Sequence, residues 1–154
     1  MAEALTMTLA GLIGPERIYE KLRVADKSAL LVELGRRAGQ ALSLPPAAIT
    51  ASLAAREALG STGVGNGIAV PHARIEGLPG LAAFFARLAR PIDFAAIDGA
   101  PVDLAFLLLS PVDGHGAHLA VLAAVSRRLR DKTVAAAIRE ADSAAAIRAL
   151  LTGE

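Results

Sequence analysis

Two histidines, an arginine and a dense glycine loop are the parts of this chain whose residue types and spacing suit chemistry. The stretch from Arg56 to Arg74 reads REALGSTGVGNGIAVPHAR, with Gly60, Gly63, Gly65 and Gly67 within eight positions. Glycine at that density lets successive backbone N–H groups converge on an anion. Ser61, Thr62, Gly63, Gly65, Asn66 and Gly67 are therefore the expected phosphate-facing loop. The loop is not a P-loop, because no Gly-Lys-Ser/Thr ends it and a helical pattern precedes it. Nor is it a dinucleotide fingerprint, since Gly63-x-Gly65-x-Gly67 has the wrong spacing and feeds a strand.

The apolar run after the loop leads to Pro71 and His72. Proline fixes its own φ and drives Val70 toward extended geometry, so His72 is expected on stiff backbone at a strand end. An imidazole with an ordinary pKa of about 6.5 keeps a neutral ring nitrogen near neutral pH, and histidine can carry a covalent phosphoryl group. The competing reading is a core histidine satisfied by a backbone carbonyl. His118 falls in the first turn of a helix, where free N–H groups favour an anion, and shares a face with Leu122 and Val125. It is either a phosphate-stabilising donor or a histidine that merely packs. His115, between glycines, is expected to be exposed and incidental. Arg56 near a helix C-terminus either complements the helix dipole or reaches toward a phosphate with its guanidinium fork. Asp98, Asp103 and Asp113 lack ligand spacing, so no metal site is expected.

The elements that must position these groups read as follows. Residues 16–24 suggest a short strand or an extended entry. Asp26 caps a helix over 27–43, with Leu30, Leu31, Leu34, Ala38 and Leu42 as its apolar stripe. Pro45 and Pro46 stop that pattern and open a helix over 46–59, with Gly60 beyond its end. Apolar runs at 81–89 and 102–109 are expected as buried strands. Helices follow over 116–130, 132–140 and 143–151. The pattern is α/β: a single domain spanning 1–154, with a core over about 9–151 and a central mixed sheet flanked by helices.

Composition narrows the function. Among 154 residues, 16 Lys and Arg face 15 Asp and Glu, which leaves no basic excess for a nucleic-acid partner. Cysteine is absent, so a thiolate nucleophile and a disulfide framework are excluded. Apolar residues form 54% of the chain and aromatics 3%, so the core is expected mainly from Ala, Leu, Val and Ile. No apolar run approaches the roughly 20 residues that span a bilayer, and a cytoplasmic location is expected.

Together with PIDFAAIDGAPVDLAFLLLSP (Pro91 to Pro111) and HLAVLAAVSRRLRD (His118 to Asp131), the Arg56–Arg74 stretch resembles the EIIA domain of the phosphoenolpyruvate-dependent phosphotransferase system. The resemblance is to the fructose/mannitol type, and within it to the nitrogen-regulatory EIIA (PtsN) family, over nearly the whole chain. It implies that His72 accepts a phosphoryl group from a histidine phosphocarrier protein, that His118 supports the phosphohistidine, and that Arg56 is a site residue. It implies no cofactor, no metal and no nucleotide. Implied partners are an HPr- or NPr-like donor and regulatory target proteins, and the reading admits a homo-oligomer. Ala73 departs from the glycine that many relatives carry after the histidine. The competing function is a sugar-specific EIIA that passes phosphate to a separate EIIB. A third reading, an interaction module without phosphotransfer, sits poorly with Arg56, His72 and His118 together.

Overall fold

The computed structural model describes residues 9–113 and 116–153. The expectation for His115 lies outside the described residues. A six-stranded mixed sheet runs through the middle, with helices on both faces. A short 3-10 turn, Pro15–Arg17, leads into β1 (Ile18–Leu22). Two helices follow, α1 (Lys27–Leu42) and α2 (Pro46–Ala58). The strands β2 (Gly63–Gly65), β3 (Ile68–Ala69), β4 (His72–Ile75), β5 (Ala82–Ile92) and β6 (Val102–Pro111) come next. Then α3 (Ala117–Arg130), α4 (Lys132–Glu140) and α5 (Ala144–Thr152) complete the described chain.

Local chemistry sets the helix ends. Asp26 accepts a hydrogen bond from the Ala29 amide at 2.9 Å and starts α1, while Ser43, in the left-handed conformation, ends it. Pro46 at the first helical position opens α2, where its missing N–H costs nothing. Asp131 and Ser143 cap α4 and α5 in the same manner as Asp26.

β6 is the central strand, antiparallel to β5 on one side and parallel to β3 and β4 on the other. Its near-continuous apolar sequence follows from burial on both faces. Ala105, Leu107 and Leu109 pack with Leu30, Leu34, Ile49 and Leu53 of α1 and α2. The alternate residues Leu104, Phe106 and Leu108 pack with Val121, Val125, Ile138 and Ile147 of the C-terminal helices. The four phenylalanines, Phe84, Phe85, Phe94 and Phe106, are fully buried, and Tyr19, the remaining aromatic, packs half-buried against the core.

β3 and β4 keep one register along β6: Ile68 opposes Leu104, Ala69 opposes Ala105, and His72 opposes Leu108. They are one strand path interrupted at Val70–Pro71, since proline has no N–H for the ladder. His72 therefore begins a strand segment instead of ending one, as the sequence suggested. The glycine stretch also differs from expectation. It forms a β2–β3 hairpin with Gly63 opposite Ala69 and Gly65 opposite Ile68, closed by Asn66 and Gly67 at φ 57° and 81°. Two consecutive positive φ values are what a two-residue type I′ turn demands, and Asn-Gly supplies them. Arg139 of α4 anchors this turn, donating to the Asn66 carbonyl at 2.8 Å and pairing with Asp103 of β6 at 2.8 Å.

Candidate functional site

A pocket of about 450 Å³ opens where α2, β4, the end of β6 and the start of α3 converge. Each element contributes by its own periodicity. Along α2, Ser52, Ala55, Arg56 and Leu59 fall on the side turned to the pocket. Along β4, His72 and Arg74 line the pocket with Ala73 at its edge, while Ala73 and Ile75 also pack in the core with α1 and α2. Ser110, paired in register with Arg74, and Leu108, paired with His72, form the floor. His118 enters from the first turn of α3. The lining thus holds two arginines, two histidines and no carboxylate, which suits a doubly charged anion.

Hydrogen bonds define the state of His72. Its Nδ1 lies 2.9 Å from the Val70 carbonyl oxygen, which only accepts, so Nδ1 carries the proton. Its Nε2 accepts from Nε of Arg56 at 3.2 Å. The imidazole is thus a neutral Nδ1–H tautomer whose Nε2 lone pair faces the pocket. Arg56 is held at its other end, where Nη1 donates to the Gly60 carbonyl at 2.9 Å. Arg56 thus sits in the last turn of α2, with its guanidinium between the Gly60 carbonyl and the histidine.

His118 is half-buried, and its Nε2 faces Nη2 of Arg74 at 3.3 Å. Its Nδ1 is buried without a hydrogen-bond partner. Burial lowers the His118 pKa below the ordinary 6.5, and the Arg74 guanidinium and His72 push it the same way. Arg74, which the sequence reading left without a role, also donates to the Val112 carbonyl. Ser110 gave no sequence signal, because it lies at the end of an apolar strand and only the register with β4 brings it to the pocket.

The glycine loop is placed elsewhere. None of Ser61, Thr62, Gly63, Gly65, Asn66 and Gly67 lines the pocket. The Thr62 amide donates to Glu57, the Gly63 amide to Ser61 Oγ and the Asn66 amide to Asp98. Ser61 Oγ in turn donates to the Phe94 carbonyl, and the Gly67 carbonyl accepts from Asp103 and Leu104. The stretch thus folds as a hairpin in which the Thr62, Gly63 and Asn66 amides are taken up within the protein, and the Asn66-Gly67 pair was the signal for its turn. Asp98 and Asp103 serve this hairpin, and no group of three metal-ligating side chains occurs among the described residues. No described helix is long and apolar enough to cross a membrane.

Residues 12–153 match the family model described as "Phosphoenolpyruvate-dependent sugar phosphotransferase system, EIIA 2". The chain is 41% identical over 145 residues to a nitrogen regulatory protein of Bradyrhizobium diazoefficiens, covering 94% of this chain and 95% of that protein. The crystal structure of nitrogen regulatory protein IIA-Ntr from Neisseria meningitidis superposes with a TM-score of 0.90 at 35% identity, covering 94% of this chain and 99% of that one. Mannitol IIA from Escherichia coli shares the fold, with a TM-score of 0.76 at 20% identity over 90% of this chain and 98% of that one.

Proposed function

The chain belongs to the EIIA 2 family of the phosphoenolpyruvate-dependent sugar phosphotransferase system, among its nitrogen regulatory proteins, and on that premise we propose that Nε2 of His72 accepts a phosphoryl group. The donor is a histidine phosphocarrier protein, and regulatory partners read whether the group is present. The observation that carries this reading is the tautomer. Nδ1 of His72 is held by the Val70 carbonyl, which leaves the Nε2 lone pair as the nucleophile at the pocket.

The step balances without a cofactor. The Nε2 lone pair attacks phosphorus in line as the N–P bond of the donor's phosphohistidine breaks, and the donor imidazole departs with that bonding pair. No proton need move, since both rings keep the one on their other nitrogen. Arg56 Nε, now on the lone pair, turns to a phosphoryl oxygen, where its fork offers parallel donors. Arg74 and His118, 3.3 Å apart, stand ready for the spread negative charge.

The rim fits a protein donor better than a free small molecule. Leu59 is 85% exposed, Leu119 62% and Val112 54%, and they flank Arg56, His118 and Arg74 respectively. Exposed apolar groups around a cationic pocket suit a protein surface that delivers one phosphate.

Incubation with phosphoenolpyruvate and the upstream carriers, followed by intact mass, tests the reading. Wild type is expected to gain one acid-labile phosphoryl group and His72→Ala none. Absence of the gain in wild type overturns the proposal. The sugar alternative is tested with the phosphoprotein: rapid discharge to a fructose-type EIIB, with sugar turnover, would favour it over the regulatory role.

A further inference from the structure

We infer that Glu57 and Thr62 are positioning residues that hold His72 as its Nδ1–H tautomer from outside the pocket. The inference rests on the proposed acceptance of a phosphoryl group at His72. Neither residue lines the pocket, and the sequence reading gave Glu57 no role and placed Thr62 against the phosphate.

The Glu57 side chain is 5% exposed although it sits in the last turn of α2. A carboxylate withdrawn from water needs its lone pairs filled. Lys27 Nζ lies 2.9 Å from its Oε1, the Thr62 amide donates to the same oxygen at 3.1 Å, and the Thr62 hydroxyl donates to Oε2. Lys27 is itself held over the Phe94 ring, 4.4 Å from its centroid. The carboxylate thus grips both donors of one residue, which fixes the Thr62 peptide.

From that peptide two short paths reach His72. On the first, the Thr62 carbonyl accepts from the Val70 amide at 3.0 Å, and the Val70 carbonyl accepts from His72 Nδ1. Pro71, between them, brings no amide that would compete for either carbonyl. On the second, Gly60 lies between Glu57 and Thr62. Its amide donates to the Glu57 carbonyl at 3.1 Å, and its own carbonyl holds Nη1 of Arg56, whose Nε addresses His72 Nε2. The buried carboxylate clamp thus bears on Nδ1 through the Thr62 peptide, while the Glu57 backbone carbonyl bears on Nε2 through Gly60 and Arg56. Which imidazole nitrogen carries the proton is decided by the hydrogen bond the other makes. A loosened clamp lets the proton sit on Nε2, where it removes the nucleophile.

The test is nitrogen-15 NMR of the His72 ring in the whole unphosphorylated protein, with the initial rate of phosphoryl acceptance and the melting temperature measured on the same samples. Thr62→Val removes the hydroxyl at nearly constant shape, Thr62→Ser keeps it, and Glu57→Gln weakens the grip on Lys27 and Thr62. Wild type is expected as the Nδ1–H tautomer. Thr62→Val and Glu57→Gln are expected to show mixed tautomers and acceptance slowed by about tenfold or more, the scale known for groups that orient a ligating histidine. Thr62→Ser is expected to restore both readouts. A wild-type ring protonated on Nε2 overturns the inference at once. So does a folded Thr62→Val or Glu57→Gln protein with an unchanged tautomer, whatever its rate, and so does loss of folding in both. The tautomer is read without any donor, so a wild type that never accepts phosphate defeats the proposed function while leaving this result separately legible.

Discussion

Nε of Arg56 lies 3.2 Å from Nε2 of His72, on the same lone pair that would attack a phosphoryl group. The guanidinium is a placeholder on the nucleophile, tethered by the Gly60 carbonyl and within reach of any oxygen that arrives there. Arg56→Gln is expected to slow phosphoryl acceptance about 100-fold, the usual scale for losing one preorganised donor to developing negative charge. Arg56→Lys should recover little of that, since an ammonium cannot hold Gly60 and the phosphate at once. Rapid-quench measurement of acid-labile phosphate checks this, and a lysine variant at wild-type speed would sink it.

His118 should make stability depend on pH. Its folded-state pKa lies below the ordinary 6.5, chiefly through burial, so the unfolded chain binds the proton more readily. The stability tied to the neutral ring is complete above the unfolded value and declines as pH falls from about 6.5 toward the folded pKa. Urea titrations between pH 7 and pH 5 should therefore show a steeper loss for wild type than for His118→Leu. Parallel curves for the two proteins would contradict the assignment.

The apolar rim predicts a defect in encounter without a defect in folding. Leu119 is 62% exposed, so Leu119→Asp should alter stability by no more than about 0.5 kcal/mol. The same change should raise the donor concentration needed for half-maximal phosphorylation by about tenfold, as expected where a contact residue becomes charged. Titration of the phosphocarrier donor reads this. A folded Leu119→Asp protein with unchanged donor dependence would place docking elsewhere.

Gly63 separates packing from chemistry. A Cβ there would lie 2.7 Å from Ala96 Cβ and 2.8 Å from Ala96 Cα, so Gly63→Ala should cost about 1–3 kcal/mol. Gly80→Ala meets no atom within 4 Å and should change stability by less than about 0.5 kcal/mol. Equilibrium unfolding of the pair decides, and equal stabilities would refute the close approach.

The long elements were legible in the sequence because each carries a physical mark. Asp26 and Pro46 announce helix starts, and the apolar runs around Phe84 and Phe106 have the length of buried strands. After the glycine loop a single strand was expected, but its division into β3 and β4 and the pairing of β2 were not, since two to four residues give no alternation to read. Glycine density suggested an anion nest when the sharper signal was the Asn66-Gly67 turn. In the site, His72, His118 and Arg56 stood out by type and context. Arg74 and Ser110 did not, because their meeting depends on a parallel pairing between segments 36 residues apart, Arg74↔Ser110. Glu57 reads as an ordinary helix-end acid, and only its burial distinguishes it.

The unbroken register of His72 on β6 bears on how a signal would leave the molecule. The His72 ring stands on β4, which is paired along the central strand β6 and sets it beside Leu108 at 1% exposure. Such a mounting transmits little displacement, because a close-packed interior does not deform by degrees. Phosphorylated and free forms should superpose nearly atom for atom outside the pocket, a point that amide chemical shifts can check. A partner that tells them apart would then be sensing a reversal of local potential, from a cationic hollow to an anionic one. The information would reside in the electrostatics of the mouth, and the scaffold would stay silent.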